Sequence, residues 1–336
     1  MEVSNSENIK VDDKVYYNFG LVNLGNTCFA NAALQLILSI SELRDYFMSD
    51  ETWEKDLISL CKNKQCKTED DILNIVKKYF CVIFYKLLSV PGDVKNPIPI
   101  FGLIRYRNPN NGIQFGAQND SHEFLSLILN DLNDEIFRIK NNLDVDDKKI
   151  CNNCKSIITD LLNVKFKVNI DYLNYDKKEE LEQDNLYFIL NLKPENKTIQ
   201  DSINGYLKEE TIKGFYETPD KETEIKKLIS IKSASKYLLF HIARFSQNNG
   251  STSKNNQSLE ITETINIPVE DQNKTYEIVS VIVHNGSLSG GHYYNYSKRE
   301  GEWYCFNDSS VSKTDLNNVL SSVSGGSAYI VLYKEK

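Results

Sequence analysis

Cys28 stands where an Asn- and Gly-rich stretch, Gly20-Leu21-Val22-Asn23-Leu24-Gly25-Asn26-Thr27, runs into the apolar segment Cys28 to Ile40. Asn26 and Thr27 are capping residue types, and Phe29, Ala32, Ala33, Leu36 and Ile37 recur at helical spacing, which predicts Cys28 in the first turn of a helix. The free backbone N–H groups of such a turn favour negative charge. An ordinary thiol titrates near about pH 8.5, and a helix N-terminus with a histidine nearby can make it largely thiolate at neutral pH. The chemistry on offer is nucleophilic attack. Taken alone, the segment reads more readily as a helix that buries its cysteine as a small hydrophobe.

The second half of the chain favours the nucleophile. In Val281 to Tyr296, His292 directly follows the pair Gly290-Gly291 and opens an alternating aromatic strand, and Trp303-Tyr304-Cys305-Phe306-Asn307-Asp308-Ser309-Ser310 follows within one hairpin. If His292 and Asn307 lie on adjacent antiparallel strands, the Asn307 amide oxygen can accept from His292 Nδ1–H and leave Nε2 for a thiol. Asp308 competes with Asn307 for that orienting role.

Those residues need elements to hold them. From Asn23 to about residue 140 the pattern is mainly helical: Cys28 to Ile40, then residues 71–89, then a segment from Asp120, with a Pro-rich loop from Pro91 to Pro99 between the second and third. Asp120 and Glu123 have the spacing of a capping box before an apolar stripe. From about Val164 the period shortens. Val164 to Ile170 and Leu186 to Leu192 read as strands around an acidic loop over residues 171–185. Tyr237 to Phe245, Tyr276 to Val283, Gly291 to Tyr296, Trp303 to Phe306 and Ala328 to Tyr333 continue as antiparallel candidates. The polar run Ser246 to Gln257 reads as a mobile loop. The class is α+β, a helical lobe followed by a sheet lobe, with a cleft between them that would bring Cys28 to His292. Of the remaining histidines, His122 is expected on an exposed first turn, His241 as a satisfied histidine inside a strand, and His284 in a structural role at a strand end.

The formal charge of −8 over 336 residues argues against nucleic acid as the main partner. The start, Met1 to Glu7, has neither a basic nor an apolar targeting region, and no uninterrupted apolar run reaches the ~18 residues of a membrane span. Seven cysteines, an odd number, fit reduced thiols. A cytoplasmic or nuclear location is expected.

Gly20 to Leu34, Gln118 to Phe124, Leu239 to Phe245, and Gly290 to Tyr296 with Trp303 to Ser310 together resemble the ubiquitin-specific protease family, in the family's order and over nearly the whole chain. The resemblance implies a papain-like fold with thumb, palm and fingers. After an extension over residues 1–17, one catalytic domain would span 18–336, with the thumb at about 18–145, the fingers at about 146–235 and the palm mainly at 236–336. It also implies a Cys–His–Asn/Asp triad that hydrolyses isopeptide or peptide bonds after the C-terminal Gly-Gly of ubiquitin. Cys28 matches the nucleophile, His292 the base and Asn307 the orienting residue, with Asp308 assisting. Asn23 matches the position whose side-chain amide helps hold the oxyanion, although such an Asn can equally cap a loop. Asp120 matches a position that holds the basic tail of ubiquitin, and Gln118 one near the cleft. Gly291 and Tyr293 border the channel for the substrate tail.

One departure stands out. Cys151-Asn152-Asn153-Cys154 has the spacing of half a zinc ribbon, but no second Cys-x-x-Cys follows. Two thiolates do not close a four-ligand site, so Cys151 and Cys154 read as a degenerate ribbon and no metal or other cofactor is expected. Ubiquitin and an activating or targeting protein are the expected partners. Two other readings are a protease for a different ubiquitin-like modifier and a catalytically weak ubiquitin-binding scaffold.

Overall fold

The computed structural model describes residues 17–49, 55, 78–107, 109–110, 112–113, 116–143, 155–173, 176–214, 223–248, 251–270, 272–287 and 290–336. The Cys151/Cys154 pair, residues 1–16 and residues 71–77 of the second expected helix lie outside them.

The helical lobe contains α1 (Cys28–Ile37), α2 (Ser41–Met48), α3 (Phe80–Ser89), α4 (Ile98–Arg107), α5 (Ser121–Lys140) and α6 (Ile157–Leu162). Every residue of α1 is buried, as expected of a helix apolar on nearly all sides. It packs on α5, where Phe29 meets Phe124 edge-on at 5.5 Å, a contact worth about 0.5–1.5 kcal/mol beyond its area. Buried Glu135 of α5 accepts from Phe80 N and Cys81 N at 2.8 Å each, which caps the first turn of α3, and pairs with Arg107 of α4. The Pro-rich stretch is therefore shorter than its prolines suggested. α4 begins at Ile98, because proline fits a first helical turn, where its missing N–H is not needed.

The sheet lobe is one eight-stranded sheet in the order β15 (Ser310–Thr314), β14 (Glu302–Asn307), β13 (Gly290–Arg299), β12 (Gln272–Ser287), β16 (Ala328–Glu335), β8 (Tyr237–Ala243) and β5 (Phe188–Asn191), with β11 (Thr264–Val269) also on β12. All pairings are antiparallel except β5 with β8. Alternation divides the side chains between two cores. Leu239, Ile282, Ile330 and Leu332 face α1, while Leu238, Phe240, Val281, Val331 and Tyr333 face α7 (Ile199–Tyr206) and α8 (Leu316–Val323). The strand period of two thus lets one sheet serve both layers.

A second, four-stranded sheet has the order β4 (Lys177–Asn185), β3 (Val164–Tyr172), β7 (Thr223–Ala234) and β6 (Glu210–Gly214). Here two loop expectations are corrected. The acidic stretch 171–185 contains β4, whose run of charges hides the strand period; cross-strand pairs such as Lys167–Glu180 at 2.8 Å and Lys178–Asp171 at 3.1 Å match it to β3. The polar run after Phe245 forms a small hairpin of β9 (Phe245–Asn248) and β10 (Ser251–Lys254).

The two lobes meet where α1 crosses β13, and a two-residue strand, β1 (Gly20–Leu21), lies parallel to β2 (Val94–Lys95) beside them.

Candidate active site

Cys28 is the first residue of α1, reached through a left-handed turn at Gly25 (φ 90°) and Asn26 (φ 58°). Thr27 is the N-cap residue but does not cap with its side chain; its Oγ1 accepts from Leu24 N at 2.8 Å. The thiol is 2% exposed. Burial pushes it above the ordinary thiol range and the charge of Asp308 adds to that, while backbone N–H groups, chiefly that of Tyr293, pull the other way. Before substrate arrives the sulfur therefore favours its neutral form.

His292 lies on β13, the strand that packs against α1. His292 pairs with Asn285 in β12, and Asn295 pairs with Phe306 in β14, so His292 and Asn307 occupy neighbouring strand ends, as the sequence suggested. His292 meets Asn307 Oδ1 at 2.6 Å. The ring is turned opposite to expectation, however: Nε2 and not Nδ1 meets Asn307. Nε2 then carries the proton and Nδ1 keeps its lone pair. Sequence spacing places an imidazole beside an amide but is blind to its rotamer.

Asp308 is not a competitor for the imidazole. It sits in the β14–β15 turn with φ 52°, and its two carboxylate oxygens accept from Asn23 Nδ2 and Asn31 Nδ2 at 2.8 Å each, while its carbonyl accepts from Leu21 N. Asn23 uses its own oxygen to cap the loop, accepting from Gly25 N at 3.0 Å and Thr27 N at 3.1 Å. An amide nitrogen has two hydrogens. With one on Asp308, the other remains for an oxyanion, so the two readings of Asn23 are compatible.

Asn31 was missed. It is a buried polar residue in an apolar helix, and with Cys28 and Gln35 it forms an i, i+3, i+7 stripe on one face. Gln35 Nε2 donates to Phe19 O at 2.8 Å, so the stripe fastens α1 to the chain leading into β1. The signal was present in the spacing.

Gln118 lies beside the nucleophile's loop, donating to Asn26 Oδ1 at 3.3 Å. Asp120 caps α5, with Oδ1 accepting from His122 N at 2.7 Å and Glu123 N at 3.1 Å, and Oδ2 accepts from Tyr329 OH. The capping box is half made, since no return bond from Glu123 closes it among the described residues. Gly291 packs so closely on His284 that a Cβ there would overlap the His284 ring and lie 2.8 Å from Asn285 O. Tyr293 is 3% exposed, with its ring 4.4 Å from His284 and 5.7 Å from Tyr329. Its side chain belongs to the packing, and its backbone N–H faces Cys28.

The other histidines correct two expectations. His122 is not on an open surface: its ring stacks on His241 at 3.9 Å and meets Tyr187 at 4.6 Å. His241 is not satisfied, as neither ring nitrogen has a hydrogen-bond partner among the described residues. Burial pulls His241 down to about 3 and His284 down to about 4. Both are neutral packing elements behind the site. His284 does take the structural role expected of it, although β12 continues past it to Ser287.

Among the described residues no group of three or more His, Cys, Asp or Glu could hold a metal ion, and no helix is long and apolar enough to cross a membrane. A buried thiol, an imidazole fixed by an amide, and a carboxylate that anchors a second amide are groups that nucleophilic acyl transfer could use.

Residues 19–333 match the family described as ubiquitin carboxyl-terminal hydrolase. Relatives include human ubiquitin carboxyl-terminal hydrolase 42, 28% identical over 94% of this chain and 22% of its own length. Another is bovine ubiquitin carboxyl-terminal hydrolase 2, 29% identical over 94% of this chain and 54% of its own. The chain thus spans from about a fifth to about half the length of these relatives. A structure of the yeast SAGA DUB module superposes with a TM-score of 0.72 at 20% identity, covering 95% of this chain and 69% of that one. A second structure, of the SAGA DUB module containing Ubp8, gives 0.65 at 20% identity, over 95% and 68%. At that identity the superposition establishes the fold: α+β, with the architecture of those enzymes.

Proposed function

The chain belongs to the ubiquitin carboxyl-terminal hydrolase family, and from that premise we propose that it is a deubiquitinating thiol hydrolase that cleaves isopeptide or peptide bonds after the C-terminal Gly-Gly of ubiquitin. The single observation that carries the reading is the bond from His292 Nε2 to Asn307 Oδ1 at 2.6 Å, on the strand whose next residue, Tyr293, turns its backbone N–H to Cys28.

In this mechanism Nδ1 of His292 takes the proton from Cys28 as the sulfur attacks the terminal glycine carbonyl, and Asn307 holds the imidazole in the required tautomer. Negative charge collects on the carbonyl oxygen. The backbone N–H of Cys28 and the free amide hydrogen of Asn23 are the donors for it, the latter held by Asp308; losing one such donor typically costs ~10²–10³ in rate. His292 then protonates the leaving amine, and water hydrolyses the thioester with His292 as base. Burial keeps the thiol neutral at rest, so proton transfer accompanies attack.

Asp120 and Gln118 are assigned to the channel beside the nucleophile's loop, with Gly291 and the Tyr293 backbone on its other side. A Gly-Gly tail has no side chains, so a narrow channel excludes most other C-termini. The catalytic domain is assigned to residues 18–336, with the Cys151/Cys154 half-site metal-free. The structural neighbours are multi-subunit modules, and an activating or targeting subunit acting in the cytoplasm or nucleus belongs to the same proposal.

The test is covalent labelling by ubiquitin bearing a C-terminal electrophile, with Cys28→Ala and other ubiquitin-like probes in parallel. Labelling by ubiquitin that depends on Cys28 is expected. Labelling only by another modifier would move the function to that pathway, and ubiquitin binding without labelling would favour a scaffold.

A further inference from the structure

α1 carries no basic residue in its own last turn, yet its final carbonyls end inside the protein, where water cannot satisfy them. Backbone N–H groups of Leu38, Ser39 and Ile40 take Leu34 O, Leu36 O and Ile37 O, and two arginines from elsewhere take Gln35 O and the carbonyl of the C-cap residue Leu38. Arg299, the last residue of β13, donates through Nη2 to Gln35 O at 2.7 Å and to Gln35 Oε1 at 3.1 Å. Arg44 of α2 donates through Nη1 to Leu38 O at 2.7 Å, and its Nη2 pairs with Glu300 at 2.7 Å, the residue after Arg299 in the β13–β14 turn. One cluster therefore joins the end of the helix that Cys28 begins to the end of the strand on which His292 lies.

The cluster is costly to bury. Arg299 is 1% exposed and Arg44 4%. Arg299 Nε and Nη1 and Arg44 Nε have no hydrogen-bond partner among the described residues. The Arg299 guanidinium lies 4.9 Å from the centre of the Phe306 ring, and it bears the repulsion of Arg44, which Glu300 partly offsets. Unmatched donors and like charges in a dry site oppose folding, and an apolar side chain of similar volume would often be neutral or better there. Packing alone does not account for two arginines in this place.

Geometry does. α1 and β13 touch at both ends: at Cys28 with Tyr293, and at Gln35 with Arg299. A helix of this length is ~15 Å long, so a tilt of ~5° about its far end carries the N-terminus through ~1 Å. A misplacement of that size can cost about 10² in rate. We propose that Arg299, seconded by Arg44, is a positioning residue that fixes the Cys28–His292 geometry by gripping the far end of the nucleophile's helix. The effect on turnover rests on the thiol-hydrolase reading given above, whereas the effect on thiol reactivity does not.

The test uses the full chain and the variants Arg299→Met, Arg299→Lys and Gln35→Met. Iodoacetamide alkylation of Cys28 is followed across pH by peptide mapping, which needs no ubiquitin. Turnover of a fluorogenic ubiquitin C-terminal amide is measured per site titrated with the ubiquitin electrophile, so that unfolded molecules are not counted. With Arg299→Met the helix loosens from the Tyr293 N–H, so the thiol titrates at higher pH and alkylation at neutral pH slows. Turnover per titrated site falls about tenfold with KM within about twofold, and Arg299→Lys recovers part of both. Glu135→Gln, which weakens the buried cap of α3, serves as a destabilised control and leaves both readouts at the wild-type value. The proposal is overturned if folded Arg299→Met, or Gln35→Met should Arg299→Met not fold, keeps the wild-type thiol profile and per-site turnover, or if Glu135→Gln shifts them equally. A wild-type chain that turns over no ubiquitin substrate would defeat the functional reading, while the alkylation arm would still decide the clasp.

Discussion

Asp308 Oδ2 and Asn23 Nδ2 are hydrogen-bonded at 2.8 Å across 285 positions of sequence. The bond ties the turn after the Asn307 strand to the loop before Cys28. It couples the two halves of the site, as does the Tyr293 N–H at Cys28, and it gives Asp308 two opposed influences, one mechanical and one electrostatic.

Replacing Asp308 by Asn separates these influences. The carboxylate charge raises the Cys28 titration, second to burial, so its removal lowers that titration, and Cys28 in Asp308→Asn should be alkylated by iodoacetamide faster than wild type at neutral pH. Turnover should move the other way, by roughly tenfold or more, because Asn23 and Asn31 each donate to a different oxygen of Asp308, and an amide there keeps one acceptor and turns an NH2 donor toward the other, which loosens an oxyanion donor. A variant slower in both assays would mean that the negative charge beside the thiol is not felt there.

In the proposed mechanism Asn307 acts through tautomer and orientation alone. Asn307→Ala should lower kcat on the order of 10²-fold with little change in KM, since a mis-set imidazole forfeits most general-base assistance. Asn307→Asp keeps the acceptor and adds a charge that stabilises imidazolium, and should retain most of the activity. Steady-state kinetics on a fluorogenic ubiquitin amide decides it; Asn307→Ala with wild-type kcat would remove His292 from the mechanism as drawn.

Gly20 is where β1 passes under the same turn. A Cβ there would overlap the Ser309 carbonyl and lie 2.7 Å from Ser309 Cα, so Gly20→Ala must push the Asp308–Ser309 turn away from Leu21 and Asn23. The expected result is a lower Tm together with a per-site kcat loss comparable to that of Asp308→Asn. Unchanged kcat in the surviving folded fraction would show that the turn's position is not critical.

How much of this was legible beforehand follows from the kind of signal each part leaves. The pairing of His292 with Asn307, the first-turn place of Cys28 and the Asp120 cap all rest on short spacings within one element or one hairpin, and spacing survives folding. The Nε2 geometry of His292 and the bonds from Asp308 to Asn23 and Asn31 depend on rotamers and on contacts between lobes, which carry no local period. β4 went unseen because its pattern is ionic, and the stacking of His122 on His241 because a histidine in an apolar strand looks the same whether or not its nitrogens find partners. Arg299 gives the least warning: at the end of an exposed-looking Ser-Lys-Arg-Glu run, only tertiary packing turns it inward.

The half-site at Cys151 and Cys154 gives a direct prediction. Two thiolates without a second pair do not make a closed tetrahedral site, so metal analysis of purified protein should find zinc well below one equivalent per chain, and a chelator should leave Tm unchanged. Stoichiometric zinc lost together with stability on chelation would require two further ligands and would reverse the assignment.

The buried histidines set an acid limit that is independent of catalysis. An unfolded histidine titrates near about pH 6.5, whereas burial holds His241 at about 3 and His284 at about 4 in the folded chain. Above pH ~6.5 both are neutral in either state and contribute no pH dependence. As the pH falls below that value the unfolded chain takes up protons the folded one refuses, and stability drops until the folded values are reached. His122 stacks on His241 and adds repulsion, its own titration lowered first by burial and partly restored by Asp120. Tm should therefore decline across pH ~6.5 to about 4. His241→Phe, which keeps an aromatic ring between His122 and Tyr329, should flatten that decline by close to one proton's worth of slope while leaving Tm at pH ~8 near wild type. Melting curves at several pH values supply the slope, and an unaltered slope in His241→Phe would show that acid lability comes from elsewhere in the fold.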